Sequence, residues 1–322
     1  MRFGVAVRTT ALALLAGAAL PADAQNKQDF LTPLIADVVD QGSTIAVLKE
    51  GLEAVEGPVP TKDGALLFTN NRAGHILRMT PDGATSIWRE GPGGANALTW
   101  TPQGDLVATL TEDKTISVVK PGEAPRVLAK EFEGKPFNRP NDLVASKRGD
   151  IYFSDTAPVG ATGTPLPSAV YRLAVDGTLQ QLVTDIGRPN GVALSPDERN
   201  LYVADTTGEW IVAIELDKEG KMKGRHNHAR LELPLPVNGQ QPTSGADGLA
   251  VDDRGRIYAA TAMGVQVFSA TGQALGRIRM PLQPQNLAFA GGARRSDLYV
   301  VGRGTVYRIA TLTRGPRARA GK

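Results

Sequence analysis

The sequence predicts an all-β fold: a six-bladed β-propeller with four-stranded blades, closed by an N-terminal strand. Three observations lead there. The apolar stretches are short and separated by turns rich in glycine and proline, which reads as strands. No amphipathic stretch carries convincing helix caps. One unit, a polar head followed by a strand, a turn and a second strand, recurs six times.

The six units open at Glu56 ("EGPVPTKDGALLFTNN"), Asn96 ("NALTWTPQGDLVATLT"), Asn141 ("NDLVASKRGDIYFSDT"), Asn190 ("NGVALSPDERNLYVADT"), Asp247 ("DGLAVDDRGRIYAATA") and Asn286 ("NLAFAGGARRSDLYVVG"). Successive heads lie about 40 to 57 residues apart, near the usual period of a propeller blade. A third strand follows each pair: "HILRMTPDG", "TISVVKPGE", "AVYRLAVDG", "WIVAIELDKEG", "GVQVFSATG" and "TVYRIATLT". A fourth is expected at "TSIWRE", "PRVLAKE", "LQQLVTD", "ARLELPL" and "LGRIRMP". The sixth unit lacks one, and "STIAVLKEG" at 43–51 is the expected replacement. Such closure leaves no open end for edge-to-edge pairing.

The ends are read separately. Residues 1–24 have the form of a secretory signal peptide: Arg2 and Arg8, a short apolar run, then "ADA" before Gln25. Export to a periplasm or outside the cell is therefore expected. Residues 25–42 form a lead-in, 43–313 the propeller and 314–322 a basic, disordered tail. Without the leader and tail, 30 basic residues face 32 acidic ones, so the basic balance of the whole chain argues for no nucleic acid. No later stretch is apolar and long enough for a membrane helix, so no membrane partner is expected after leader removal. A monomer acting on a small molecule is expected. The chain has no cysteine, which excludes disulfides, thiolate metal sites and cysteine nucleophiles.

In a propeller the first strand of each blade lines the channel. The six heads should therefore gather at one mouth. Every head offers a side-chain oxygen and none offers imidazole, a donor set for a hard cation such as calcium or magnesium. Glu56 and Asp247 supply two negative charges, matching a divalent ion. A wide ring of protein oxygens favours calcium over magnesium, with zinc and manganese also open. The competing structural reading treats Asn-Gly and Asp-Gly as ordinary turn formers.

"EGP" at 56–58, "RPND" at 139–142, "PNGVALSPD" at 189–197, "LYVADT" at 201–206, "ADGLAVDDRGRIY" at 246–258, "GVQVF" at 264–268 and the "LYVVGRGTVYRI" ending together resemble the senescence-marker-protein/gluconolactonase/luciferin-regenerating-enzyme family. The resemblance runs from about Thr44 to Ile309. It implies a divalent cation held by Glu56, Asn141, Asn190 and Asp247, with Asn96 and Asn286 left around that set. It also implies that Arg139 and Asn141 meet the substrate and that Asp247 is the general base. The implied reaction is metal-dependent hydrolysis of a sugar-acid lactone or a similar ester.

Several readings remain open beside it. A carboxylate tied to a cation is a weak base, so a water activated by the ion is a rival to Asp247. A phosphotriesterase-like or other esterase could use the same metal, a strictosidine-synthase-like propeller would need none, and a binding propeller could hold calcium structurally. Arg139 could instead form a salt bridge between blades. Asp155 and Asp205 read as structural hydrogen-bonders. "RHNHAR" at 225–230 reads as a solvated loop, with an H-x-H metal pair as the alternative. "GPGGAN" opens no helix, which argues against a phosphate cradle. The stretches at 157–170 and 238–247 are the expected rims of the mouth, and substrate identity rests with such loops.

Overall fold

A computed structural model describes Met1 and residues 30–316, apart from Pro92 and Val159. The expected signal peptide and the tail beyond Pro316 lie outside the described residues. The described chain forms six four-stranded antiparallel sheets, as the repeats predict. The innermost strands are Val55–Pro60, Ala95–Trp100, Pro140–Ala145, Pro189–Leu194, Leu249–Val251 and Asn286–Phe289, which number blades 1 to 6. Each packs against the next, and the sixth packs against the first, closing the ring around a channel. Among the described residues no helix is long and apolar enough to cross a membrane.

The closing strand is where the sequence puts it. Ile45–Lys49 pairs antiparallel with Thr305–Ala310, with Ile45 opposite Ile309, and becomes the outermost strand of blade 6. The lead-in before it is part of the fold. Thr32 Oγ1 donates to the Asp40 carbonyl, and Ile35, Val38 and Val39 are buried against blades 5 and 6. At the other end, the expected tail boundary moves outward. Gly315 N donates to the Arg295 carbonyl, the Arg295 guanidinium donates back to Gly315, and Asp253 N donates to Arg314. Residues 314–316 are therefore held against the body.

The core is distributed. Apolar side chains on the two faces of each blade meet those of its neighbours. One cluster joins blades 3 and 4 through Tyr152, Val170, Val192, Leu201 and Val203. Another joins blades 6 and 1 through Val55, Phe68, Tyr299 and Val301. Middle strands are buried on both faces, which explains continuous apolar runs such as "LYVV" in place of alternation.

The outer strand of blade 4 differs from expectation. It is Met222–Arg230, and "ARLELPL" contributes only its first two residues. A tight turn at Asp217–Gly220 ends the third strand, so pairing resumes at once, with Leu216 opposite Met222 and Trp210 opposite Arg230. "RHNHAR" is thus strand, not loop. Its polar composition suits a solvent-facing outer strand and hides the pairing from a hydrophobicity pattern.

Candidate active site at the channel mouth

The heads occupy equivalent positions. Glu56, Asn96, Asn141 and Asn190 are each the second residue of an inner strand, Asn286 is the first, and Asp247 lies two residues before one. In blades 1 to 4 the register slips just past the head. Pro189 faces Asp205 whereas Val192 faces Val203, so one extra residue sits in the inner strand. The same slip follows Glu56, Ala95 and Pro140. A bulge of this kind re-aims a side chain and frees backbone groups. Hydroxyls take up part of the freed hydrogen bonding. Ala97 N donates to Thr109 Oγ1, which donates on to the Asn141 carbonyl; Asp142 N donates to Ser154 Oγ, which donates to the Asn190 carbonyl.

The glycines after the heads are there for space. A Cβ on Gly191 would lie 2.1 Å from the Asp247 carbonyl oxygen, and one on Gly57 would lie 2.3 Å from that of Asn96. A Cβ on Gly248 would meet Asn286 Oδ1 at 2.0 Å. Each head is thereby pressed against its neighbour. The turn reading fails at "PNG", because Asn190 and Gly191 lie inside the strand Pro189–Leu194.

The ring's contacts run from blade to blade. Asn286 Nδ2 and Gln285 Nε2 donate to the two Glu56 oxygens, at 3.1 and 3.3 Å. Asn96 Nδ2 donates to Asn141 Oδ1 at 3.1 Å, and Asn71 Nδ2 donates to Asn96 Oδ1 at 3.0 Å. Asn190 Nδ2 donates to Thr206 Oγ1 at 3.3 Å, and the Asn190 amide also hydrogen-bonds the Asp247 carboxylate. Asn190 Oδ1 is buried with no hydrogen-bond partner. Asp247 thus lies within reach of both Glu56 and Asn190, while Asn141 is tied to Asn96 of the preceding blade.

Electrostatics single out the same place. Burial pushes Glu56 up to about 7, against hydrogen bonds from Asn286, Gly57 and Gln285. Burial raises Asp247 well above the carboxylate range, and the nearby charges of Glu56 and Asp142 raise it further. Arg188 works in the opposite direction on Asp247. Two interacting acids, one of them beside an unpaired amide oxygen, are thus held with too little positive charge to balance them. Among the described residues no group of three or more His, Cys, Asp or Glu could hold a metal, so a cation site here would draw on neutral oxygens such as side-chain amides. Asn190 Oδ1 is such an oxygen, buried and unpaired, and a donor set of carboxylate and amide oxygens fits a hard divalent cation.

Arg139 is exposed just before the third head. Its backbone is fixed: Arg139 N and Asn138 N donate to the two oxygens of Asp155, at 2.6 and 2.9 Å. Asp205 does the same for Gly187 and Arg188 in blade 4. Both aspartates are structural hydrogen-bonders, as expected. The following threonines connect blades, Thr206 Oγ1 donating to the Ala246 carbonyl at 2.8 Å.

Three features escape the sequence reading. Asp142 is buried one residue past Asn141, accepts Val192 N at 3.0 Å and Leu143 N at 2.9 Å, and is raised to about 7 by burial and by Glu56. The contrast of "RPND" with "RPNG" was its signal: an acid stands where the next blade needs glycine. Arg188, given no role from the sequence, acts on Asp247 and donates Nη1 to the Ala157 carbonyl in the expected rim at 157–170. A short hairpin, Glu131–Phe132 with Lys135–Pro136, leads directly into Arg139. Phe132 and Phe137 anchor it on Tyr171 at 5.4 Å each. The channel continues beneath the heads as an apolar cavity of about 230 Å³, bounded by Trp100, Asp142 and Leu287.

Fold and site define a six-bladed propeller with an oxygen-lined mouth. The chain belongs to the SMP-30/gluconolactonase/LRE-like family, whose model matches residues 54–303. It is similar to a gluconolactonase of Zymomonas mobilis, 31% identical over 313 residues that cover 88% of this chain and 86% of the relative. A pentonolactonase of Haloferax volcanii is 26% identical over 76% of this chain and 80% of its own. The solved structure of a gluconolactonase from Xanthomonas campestris superposes with a TM-score of 0.76 at 27% identity, covering 92% of this chain and 99% of that one.

Proposed function

We propose that this protein is a lactonase that hydrolyses sugar-acid lactones of the gluconolactone type and depends on a divalent cation, calcium first among them. The observation that carries this reading is the mouth itself: Asn190 Oδ1 buried without a partner beside Asp247, whose carboxylate in turn feels the charge of Glu56. The lactone chemistry rests on the gluconolactonase and pentonolactonase to which the chain is similar. The expected signal peptide makes an extracytoplasmic lactone the natural setting.

Glu56, Asn141, Asn190 and Asp247 would hold the cation. When bound, it would supply polarisation of the lactone carbonyl and stabilisation of the negative charge that develops on its oxygen. The chain's own residues do the rest. Arg139, held at its backbone by Asp155, orients the substrate's hydroxyls with a fork of donors. Asp247 takes a proton from the attacking water as oxygen adds to the carbonyl carbon. The ring C–O bond then breaks and its oxygen takes that proton from Asp247, leaving an open hydroxy acid and the carboxylate restored. Arg188 favours the ionised form of Asp247 that this needs.

The test is a pH-stat assay on a panel of aldonolactones and simple esters, with chelator-stripped protein and with each cation added back. Turnover of an aldonolactone that vanishes on stripping and returns with calcium is expected. Full turnover by stripped protein, or none on any lactone, would refute the reading.

A further inference from the structure

A second, unrelated cluster lies on the outer wall of blade 4. The chain has three histidines, and two of them, His226 and His228, stand on the outer strand Met222–Arg230. His226 faces Ala213 in register, and Ala213 faces Tyr202 on the next strand in. The register slips at the second histidine, since Val212 pairs with Asn227 whereas Ile211 pairs with Ala229. His228 is the extra residue of that bulge, and a bulge re-aims its side chain. The small Ala213 leaves room for the His228 ring to tilt over Tyr202, with ring centroids 4.9 Å apart.

The result is a close pair of ring nitrogens. His228 Nδ1 and His226 Nε2 are 3.4 Å apart, with 57° between the ring planes. That is long for an N–H···N hydrogen bond, whose usual separation is about 2.9–3.0 Å in N–H···O pairs. It does match two ligands of one tetrahedral ion: nitrogens each about 2.0–2.1 Å from a zinc stand roughly 3.3–3.4 Å from one another. Glu215 Oε1 lies 3.3 Å from the other nitrogen of His226, Nδ1. A carboxylate there accepts the Nδ1–H and leaves the Nε2 lone pair free, the arrangement that commonly supports metal-bound histidine.

We propose that His226 Nε2 and His228 Nδ1 form a two-imidazole binding site for a borderline divalent transition metal, zinc foremost, with water completing the coordination. Both His226 and Glu215 are about half exposed, at 47% and 50%, so an ion reaches the pair from solvent. The site is the chemical opposite of the channel mouth. Imidazole selects zinc, copper or nickel and discriminates against calcium, whereas the heads offer oxygen alone. Zinc added to this protein therefore has two destinations, and a metal analysis that counts only total zinc would mix them.

The test is calorimetric titration of zinc into the untagged, chelator-stripped full chain, with calcium in excess to occupy the mouth. One zinc per chain is expected. His226→Gln and His228→Gln should each weaken it at least tenfold, and Glu215→Gln by about tenfold as an outer support is lost. His75→Gln and Glu56→Gln should leave it unchanged, and His226→Gln should leave lactone turnover unchanged. No zinc uptake under calcium, or the same uptake by His226→Gln as by the parent chain, would overturn the site. Because His226 is exposed, that variant decides the matter even if His228→Gln fails to fold.

Discussion

At the scale of single residues, the decisive atom is Asn190 Oδ1. A buried amide oxygen without a partner costs free energy, on the order of 1–3 kcal/mol, unless something absent from the protein itself pairs with it. Asn190→Ala removes that oxygen together with the amide's 3.3 Å bond to Thr206 and its contact with the Asp247 carboxylate. Cation affinity should fall at least tenfold by calorimetry, with the melting temperature of stripped protein nearly unchanged. The acids make a pH prediction. Glu56 is raised to about 7 from an ordinary 4.5, so in stripped protein its contribution favours the fold below pH 4.5 and is lost as pH rises through 7. Asp142, raised to about 7, adds to the same loss. Thermal melts without metal should therefore fall between about pH 4.5 and 7, and added calcium should reverse the fall. Melts that stay flat over that range would show that the acids are not strained by burial.

At the scale of elements, the inner strand with its bulge is the working unit. The heads were legible in the sequence because one grammar repeats six times, and their oxygen-only chemistry was legible with them. What lay beyond reach came from contacts between distant blades. Arg188 acquires its role only when blade 5 brings Asp247 beside it, and Gln285 only when blade 6 reaches Glu56. The outer strand of blade 4 was hidden because a solvent-facing edge needs no apolar pattern. Gly191 tests the close approach of strands. Gly191→Ala would drive a Cβ to 2.1 Å from the Asp247 carbonyl and 2.8 Å from Gly248 Cα, both backbone atoms. A loss of roughly 1–3 kcal/mol or more by denaturant titration is expected, together with weakened cation binding. Asp155→Ala should lower turnover by releasing the peptide that carries Arg139. It should leave calcium affinity within a few-fold, which parallel kinetics and calorimetry would show.

At the scale of the whole molecule, the fold was read almost entirely from its repeats, including the borrowed strand that closes it. That strand, Ile45–Lys49, covers the edge of Thr305–Ala310. A chain beginning at residue 53 should expose that edge and the face under Ile35 and Val39, and should be recovered as aggregate where the full chain is not. Closure also serves the site, since Glu56 in blade 1 meets Asn286 in blade 6 only across the seam. The most direct measurement is a calcium titration by calorimetry of the stripped chain beside Glu56→Gln. One calcium per chain, with affinity reduced at least tenfold by Glu56→Gln, is predicted. Equal affinity in the two proteins, or no calcium bound by either, would contradict a cation at the channel mouth.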